Sequence, residues 1–417
     1  MDIKECMEFI NSYSKSGGRI TDLSRAQELM ERIGSPEKKL RFVHIAGTNG
    51  KGSTVEYISG ILMNAGYRTG QFTSPFIHRY NDRIRINGEE ISDSKLCSIA
   101  AYVRERVSDR PYSQFEITMA IAMLWYVQEK CDVVVLETGI GGLLDSTNVI
   151  PPPLLSVITS VSLDHTSILG NTVEEIAAQK AGIIKPGSAV LLSADNPESV
   201  RHVVRETAEK TGAEYIFPDE KLSIICSEPD GVSFDYKGGF FRTAMPGVHQ
   251  AYNAVSAIET CRYLKTKGFT ITEDDIAAGI SGARIAARQQ FIQGKPPVLV
   301  DGGHNPGGVE SLAATLRAIH QKKSIFAVLG MVDSKDYRSC AAVIAELADR
   351  IYTVDGFAYN SVPAGELAEC LGSHAEACTS LSEAVRKASE KALEDDGMVV
   401  VCGSLYLASE YLNNIRK

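Results

Sequence analysis

The residues best suited to chemistry in this sequence stand at 47–54. There Gly47, Thr48, Asn49, Gly50, Lys51, Gly52, Ser53 and Thr54 follow the run FVHIA and precede a helical pattern. Glycines let a backbone wrap an anion, main-chain N–H groups and the helix dipole face it, a lysine adds positive charge, and a Ser or Thr hydroxyl reaches magnesium. The spacing departs from GxxxxGK[ST]: it is one turn tighter, with Gly52 inserted between the lysine and Ser53. A Gly-rich strand-helix turn with a solvated lysine is the plainer alternative. The coincidence of strand, turn, lysine, hydroxyl and helix favours a nucleotide phosphate site.

Acids and imidazoles recur at the ends of other strand-like runs. Glu137 ends VVVLE, Asp164 and His165 follow LLSVITS at a short remove, and Asp301 and His304 follow PVLV. Ligand crevices of open α/β sheets lie at the carboxyl ends of the strands, and a carboxylate or imidazole beside a polyphosphate suits a magnesium ion that bridges phosphate oxygens. One such residue alone is more simply a helix cap or an ion-pair partner; their repetition favours function. Lys180 is a different case. Thr172 and Glu175 form a capping box that starts a helix, and Val173, Ile176, Ala177 and Lys180 then share its apolar stripe. A lysine there needs an anionic partner or a chemical change, unless it snorkels to solvent.

The elements that must position these groups are legible as an alternation. Strand-like runs lie at 42–47, 133–137, 154–160, 189–193, 297–302, 325–330 and 398–403, with helical patterns at 53–64, 116–129, 172–181, 308–320 and 381–393 between them. Such runs suit strands covered on both faces. The expected fold is therefore α/β: a P-loop-type, mostly parallel sheet domain with an antiparallel addition, followed by a smaller Rossmann-like α/β C-terminal domain. The alternating segment 231–247 reads as a hairpin that extends the first sheet, and Gly294, Pro296 and Pro297 mark a linker near 288–297.

Composition bounds the rest. The 417 residues are 44% apolar and 23% charged, and mean hydropathy is −0.06. No run of about 18 apolar residues is present, and the first residues lack the pattern of a secretory signal, so no membrane partner and a cytoplasmic location are expected. Nine cysteines without a CxxC pair argue against a disulfide framework or zinc ribbon. A net charge of −9 gives no reason to expect nucleic acid as a partner. The partners expected are small molecules, and the chain is expected to act as a monomer.

GTNGKGST (47–54) and TSPFIHRYNDRIRING (73–88), with ETGIGGLLDSTNVI (137–150), SLDHTSILGNTVEEIAAQKAGIIKPG (162–187), HQAYNA (249–254), DGGHNPGG (301–308) and VCGSLYL (401–407), resemble the folylpolyglutamate and dihydrofolate synthases, relatives of the Mur ligases. The resemblance runs in order over nearly the whole chain. It implies a ligase of folate biosynthesis and one-carbon metabolism that uses ATP and Mg²⁺ to join L-glutamate to a folate or dihydropteroate through an acyl phosphate. It divides the chain into an ATP-binding domain over 1–290 and a glutamate-ligase domain over 291–417. It also implies residue roles: Ser53, Ser74, Glu137 and His165 toward magnesium; Thr48, Asn49, Gly50, Lys51, Gly52, Ser53, Thr54, Asn253, Arg288, Asp301 and His304 toward the nucleotide; Asp145 toward the pterin-bearing substrate; and Lys51, His165 and Lys180 in catalysis, Lys180 as a carbamate.

The chain departs from the family pattern at three places. Leu143 stands where arginine is common, Phe76 where histidine is common, and ARIAARQQ (283–290) replaces a Pro-Gly-Arg pattern while keeping Arg288. Loss of arginine removes a planar donor fork. These departures keep open a Mur-type ligase for another carboxylate, and a nucleotide-binding regulatory ATPase without ligase turnover is the alternative of a different class.

Overall fold

The computed structural model describes residues 1–14, 21–107, 111–218, 221–319 and 323–415. The chain forms two compact units. The first comprises Met1–Ser162, Thr166–Asp219 and Tyr252–Ile280; the second comprises Leu163–His165, Glu220–Ala251 and Ser281–Lys417.

The first unit is built on an eight-stranded sheet. Its strands are β1 (Phe42–Ala46), β2 (Thr69–Phe72), β3 (Ile84–Ile86), β4 (Glu89–Glu90), β5 (Val133–Glu137), β6 (Leu155–Ile158), β7 (Ala189–Leu192) and β8 (Glu214–Ile216), in the order β4-β3-β2-β5-β1-β6-β7-β8. All pairings from β2 to β8 are parallel. β1, β5, β6 and β7 are buried along their whole length, which is why their sequences run apolar without alternation. After β1 the chain crosses towards β2, whereas after β6 it crosses the other way to β7. The carboxyl ends of β1 and β6 therefore flank a topological switch point, where such sheets bind ligands.

The antiparallel addition to this sheet is real but comes from another segment than expected. β3 and β4 supply it, joined by Asn87 and Gly88, both at positive φ. Asn-Gly is the strongest short hairpin signal. The 231–247 segment instead belongs to a separate three-stranded sheet in the second unit: β9 (Ser223–Glu228), β10 (Gly231–Tyr236) and β11 (Gly239–Arg242), in the order β11-β10-β9. The hairpin itself is correct; alternation specifies a partner strand but not which sheet receives the pair.

The second unit also holds a six-stranded sheet: β12 (Gln290–Ile292), β13 (Val298–Val300), β14 (Ile325–Leu329), β15 (Arg350–Thr353), β16 (Ala375–Ala377) and β17 (Met398–Cys402), ordered β12-β13-β17-β14-β15-β16. It is parallel except that β12 pairs antiparallel to β13. Part of the stretch expected as a linker is thus an edge strand, reversed through Gly294 and the prolines that prompted the linker reading.

The expected helices form with small shifts: Lys51–Asn64, Gln114–Gln128, Val173–Ala181, Pro306–Ile319 and Leu381–Glu394. His320, the expected end of the fourth, lies outside the described residues. The capping box of Thr172 and Glu175 starts the third as its spacing requires. Among the described residues no helix is long and apolar enough to cross a membrane.

Candidate active site

The phosphate loop leaves β1 at Gly47 and enters the helix Lys51–Asn64 through Gly50, whose φ of 85° is left-handed and which provides no side-chain cap. The loop is pinned to the end of β6. Thr48 N donates to Ser160 O at 2.7 Å, Thr48 Oγ1 donates to Ser162 O at 3.0 Å, and Thr159 Oγ1 donates to Asn49 O at 2.7 Å. Both flanking glycines are needed for close approach. A Cβ at Gly47 would fall 1.7 Å from Thr159 Oγ1, and one at Gly50 would fall 2.3 Å from Asn253 Oδ1. Asn253, on the helix Val248–Thr266, thereby lies directly against the loop.

Two lysines converge on one carbonyl of this loop. Lys51 Nζ donates to Gly47 O at 3.1 Å and to Thr48 O at 3.2 Å, and Lys180 Nζ donates to Gly47 O at 2.8 Å. Lys180 is only 3% exposed, which removes the snorkelling alternative. The ammonium groups of Lys51 and Lys180 are thus held together at one strand end, against the loop backbone. Ser53 is 4% exposed beside them, whereas Thr54 is fully buried and its Oγ1 has no hydrogen-bond partner.

One strand away, Glu137 ends β5 opposite Ile45 of β1 and is 3% exposed. Its Oε2 accepts from Ser74 N at 3.1 Å. Among the described residues no group of three or more His, Cys, Asp and Glu side chains could hold a metal. Magnesium does not need one, because it binds through one or two carboxylates together with phosphates and waters. Glu137 with the hydroxyls of Ser53 and Ser74 is a donor set of that hard-oxygen kind.

Asp145, expected toward the pterin-bearing substrate, is bound up in hydrogen bonds within its own loop. Its Oδ2 accepts from Gly139 N and Ile140 N, each at 2.9 Å, and its Oδ1 accepts from Thr147 N at 3.0 Å and Thr147 Oγ1 at 2.5 Å. Burial pushes its pKa up, and these donors act against that. The carboxylate organises its own loop. The same loop is stitched to the end of the Lys180 helix: Leu143 N donates to Gln179 O at 2.7 Å and Asn148 Nδ2 to Gly182 O at 3.0 Å.

The second unit gathers its own polar cluster at strand ends. Asp164 accepts from Lys335 Nζ at 2.5 Å and from Asn305 Nδ2 at 3.0 Å. His165, at φ 49°, places Nε2 3.2 Å from Lys335 Nζ, and His304 Nε2 lies 3.9 Å from Asp164 Oδ2. Burial alone would raise the Asp164 pKa, but Lys335, then His165, outweigh it and hold the carboxyl well below the usual range. For His304, burial pushes the imidazole down to about 4, with Lys335 adding to the effect. Asp301, after β13, accepts from Gln289 N at 3.0 Å and Gly303 N at 2.8 Å. Arg288 sits between Ala287 and Gln289, both left-handed at φ 57° and 50°, and its charge acts on Asp301 and His249. Sequence reasoning missed Lys335, Asn305 and His249. Lys335 lies in the loop after β14, so the strand-end rule that selected Asp301 would have found it.

Comparison with known proteins agrees with this geometry. Residues 45–261 match the Mur ligase middle domain and residues 287–405 the Mur ligase glutamate ligase domain. A dihydrofolate synthase/folylpolyglutamate synthase of Bacillus subtilis is 37% identical over 95% of this chain and 94% of its own length. The chain belongs to the folylpolyglutamate synthase/dihydrofolate synthase family. A folylpolyglutamate synthase of Lacticaseibacillus casei is 33% identical over 98% of this chain and 97% of its own. The structure of Mycobacterium tuberculosis folylpolyglutamate synthase complexed with ADP superimposes with a TM-score of 0.91 at 25% identity, covering 100% of this chain and 98% of that one. Membership of the synthase family accounts for the two α/β sheets.

Proposed function

We propose that this chain is an ATP-dependent ligase that adds L-glutamate to a folate, with dihydropteroate as a second acceptor. The observation that carries the reading is the convergence of Lys51 and Lys180 on Gly47 O at the end of β1. Lys51 would meet the phosphate charge there, with Lys180 beside it. The M. tuberculosis relative was solved with ADP, which supports a nucleotide at the corresponding loop. The proposed division of labour assigns ATP binding to 1–290 and glutamate ligation to 291–417.

In this chemistry ATP phosphorylates the substrate carboxylate, and the glutamate amine displaces phosphate from the acyl phosphate. Loop amides and Lys51 offset the charge that develops on the transferring phosphoryl group. Glu137, Ser53 and Ser74 would hold magnesium, which neutralises phosphate charge when bound. Lys180 is proposed to react with carbon dioxide through its neutral amine. The new N–C bond gives a carbamate with release of one proton, turning a buried cation into an oxygen ligand. Asn253 steadies the loop.

The test is ADP release measured with tetrahydrofolate, dihydropteroate and a Mur-type precursor, each with and without glutamate. Release that requires both a folate and glutamate is the expected result. Release without glutamate would point to a regulatory ATPase, and release with the Mur precursor alone would move the substrate class.

A further inference from the structure

His44 lies in the middle of β1, three residues before the phosphate loop, and is fully buried. Its Nε2 is 2.8 Å from Thr147 Oγ1. The direction of that bond follows from the next one. Thr147 Oγ1 is 2.5 Å from Asp145 Oδ1, and a carboxylate that already receives three backbone amides can only accept. The hydroxyl proton therefore points to Asp145, and the hydroxyl oxygen must receive its hydrogen from His44. Nε2 carries the proton, and Nδ1, which is buried without a partner, is the bare nitrogen of a neutral ring. The other end of the chain is the pair of amides Gly139 N and Ile140 N on Asp145 Oδ2, immediately beyond Glu137.

We propose that His44 is a positioning residue that, by donating from Nε2 through the Thr147 hydroxyl to Asp145, fixes the 139–147 loop in register with the strand that carries the phosphate loop. Burial, with the Lys185 charge second, pushes the His44 pKa down to about 3, so the ring keeps a single N–H throughout the working range of an enzyme. The effect of this relay on substrate binding rests on the ligase reading above; its effect on the loop amides does not.

Hydrogen–deuterium exchange of the ligand-free, full-length chain and steady-state kinetics with tetrahydrofolate test it together. The variants are Thr147→Val and His44→Leu, which cut the relay, and Thr147→Ser and His44→Gln, which keep a hydroxyl and an Nε-type donor. The cutting variants are expected to speed exchange at Gly139 and Ile140 about three- to tenfold, the size of one lost hydrogen bond. They should raise the KM for tetrahydrofolate by a similar factor while that for ATP stays within about twofold. The keeping variants should stay near wild type. If His44→Leu fails to fold, the Thr147 pair decides. Unchanged exchange in Thr147→Val, or His44→Gln as fast as His44→Leu, would overturn the relay and reduce His44 to packing. Exchange that responds as expected in a protein that turns over no folate would sink the ligase reading and leave the relay standing.

Discussion

The first unit contains two glycine-rich loops at the ends of neighbouring strands, and they treat backbone amides in opposite ways. The 139–147 loop after β5 holds its own anion: Asp145 accepts from three amides and a hydroxyl. The phosphate loop after β1 has no such carboxylate. Its helix starts on Gly50 without a capping side chain, and two lysines rest on Gly47 O. A helix N-terminus with its first amides uncapped and cations nearby is completed by an anion from outside. On the proposed reading one loop is finished by folding and the other by its ligand, so the same kind of substitution should have different consequences in the two.

The largest expected effect breaks the second loop. Lys51→Ala should lower ligation by on the order of 10²–10³ while leaving the unfolding midpoint without nucleotide unchanged. Turnover followed by ADP release, together with a denaturant titration, checks both halves. Near-wild-type turnover would remove the phosphate assignment, and a large stability loss would show that Lys51 is structural in the way Asp145 is.

The next effect concerns pH and His44, the β1 residue that links to Thr147 of the other loop. His44 has a folded pKa of about 3, below its ordinary 6.5, so below pH 6.5 the unfolded chain takes up a proton that the native chain refuses. The stability this contributes is fully present above pH 6.5 and falls as pH drops through that window. His44→Gln removes the proton from the balance. Its acid limb should be shallower than wild type by on the order of 3 kcal/mol between pH 6.5 and 4. Parallel limbs in paired urea titrations at the two pH values would show that the ring is not held neutral.

How far the sequence disclosed these loops follows the same division. The 47–54 turn was legible as an element because its glycines stand between a buried strand and a helix; its proposed phosphate role demands the glycines, lysine and hydroxyl at consecutive positions. The capping box at Thr172 was legible for the same reason, since its partners are three residues apart. Asp145 could be located only by family resemblance, and its role as an organiser of Gly139 and Ile140 depends on a turn geometry that spacing does not encode. Lys335 and Asp164 are 171 residues apart, and no local pattern links them. The misplaced 231–247 hairpin and the β12 strand show the same limit: alternation and turn residues specify a strand, but the sheet it joins is a tertiary choice.

Breaking the first loop should be visible in stability before it is visible in chemistry. Asp145→Ala leaves the amides of Gly139, Ile140 and Thr147 without their acceptor in a partly buried loop, at a cost of about 1–3 kcal/mol. Asp145→Asn keeps an acceptor oxygen and should fall between. Denaturant midpoints rank the three proteins. An Ala variant as stable as wild type would mean that this loop, too, is completed only by a ligand.

The smallest effect sharpens the comparison at the point where the first loop faces outward. Leu143 is 45% exposed, with its backbone fixed by Gln179 O, so its side chain can change without disturbing the Asp145 scaffold. It stands where the family commonly has arginine. Leu143→Arg restores a planar donor fork that can meet an anionic substrate, in a solvated position where such a contact is worth about 1 kcal/mol or less. A change of a few-fold in the KM for folate is therefore expected, with the KM for ATP unchanged, because the phosphate loop is built from other residues. Steady-state kinetics with each substrate varied in turn decide it. Equal shifts in both constants would mean that the two loops act as one site rather than as a finished scaffold beside an open one, and no shift in either would place Leu143 away from the substrate.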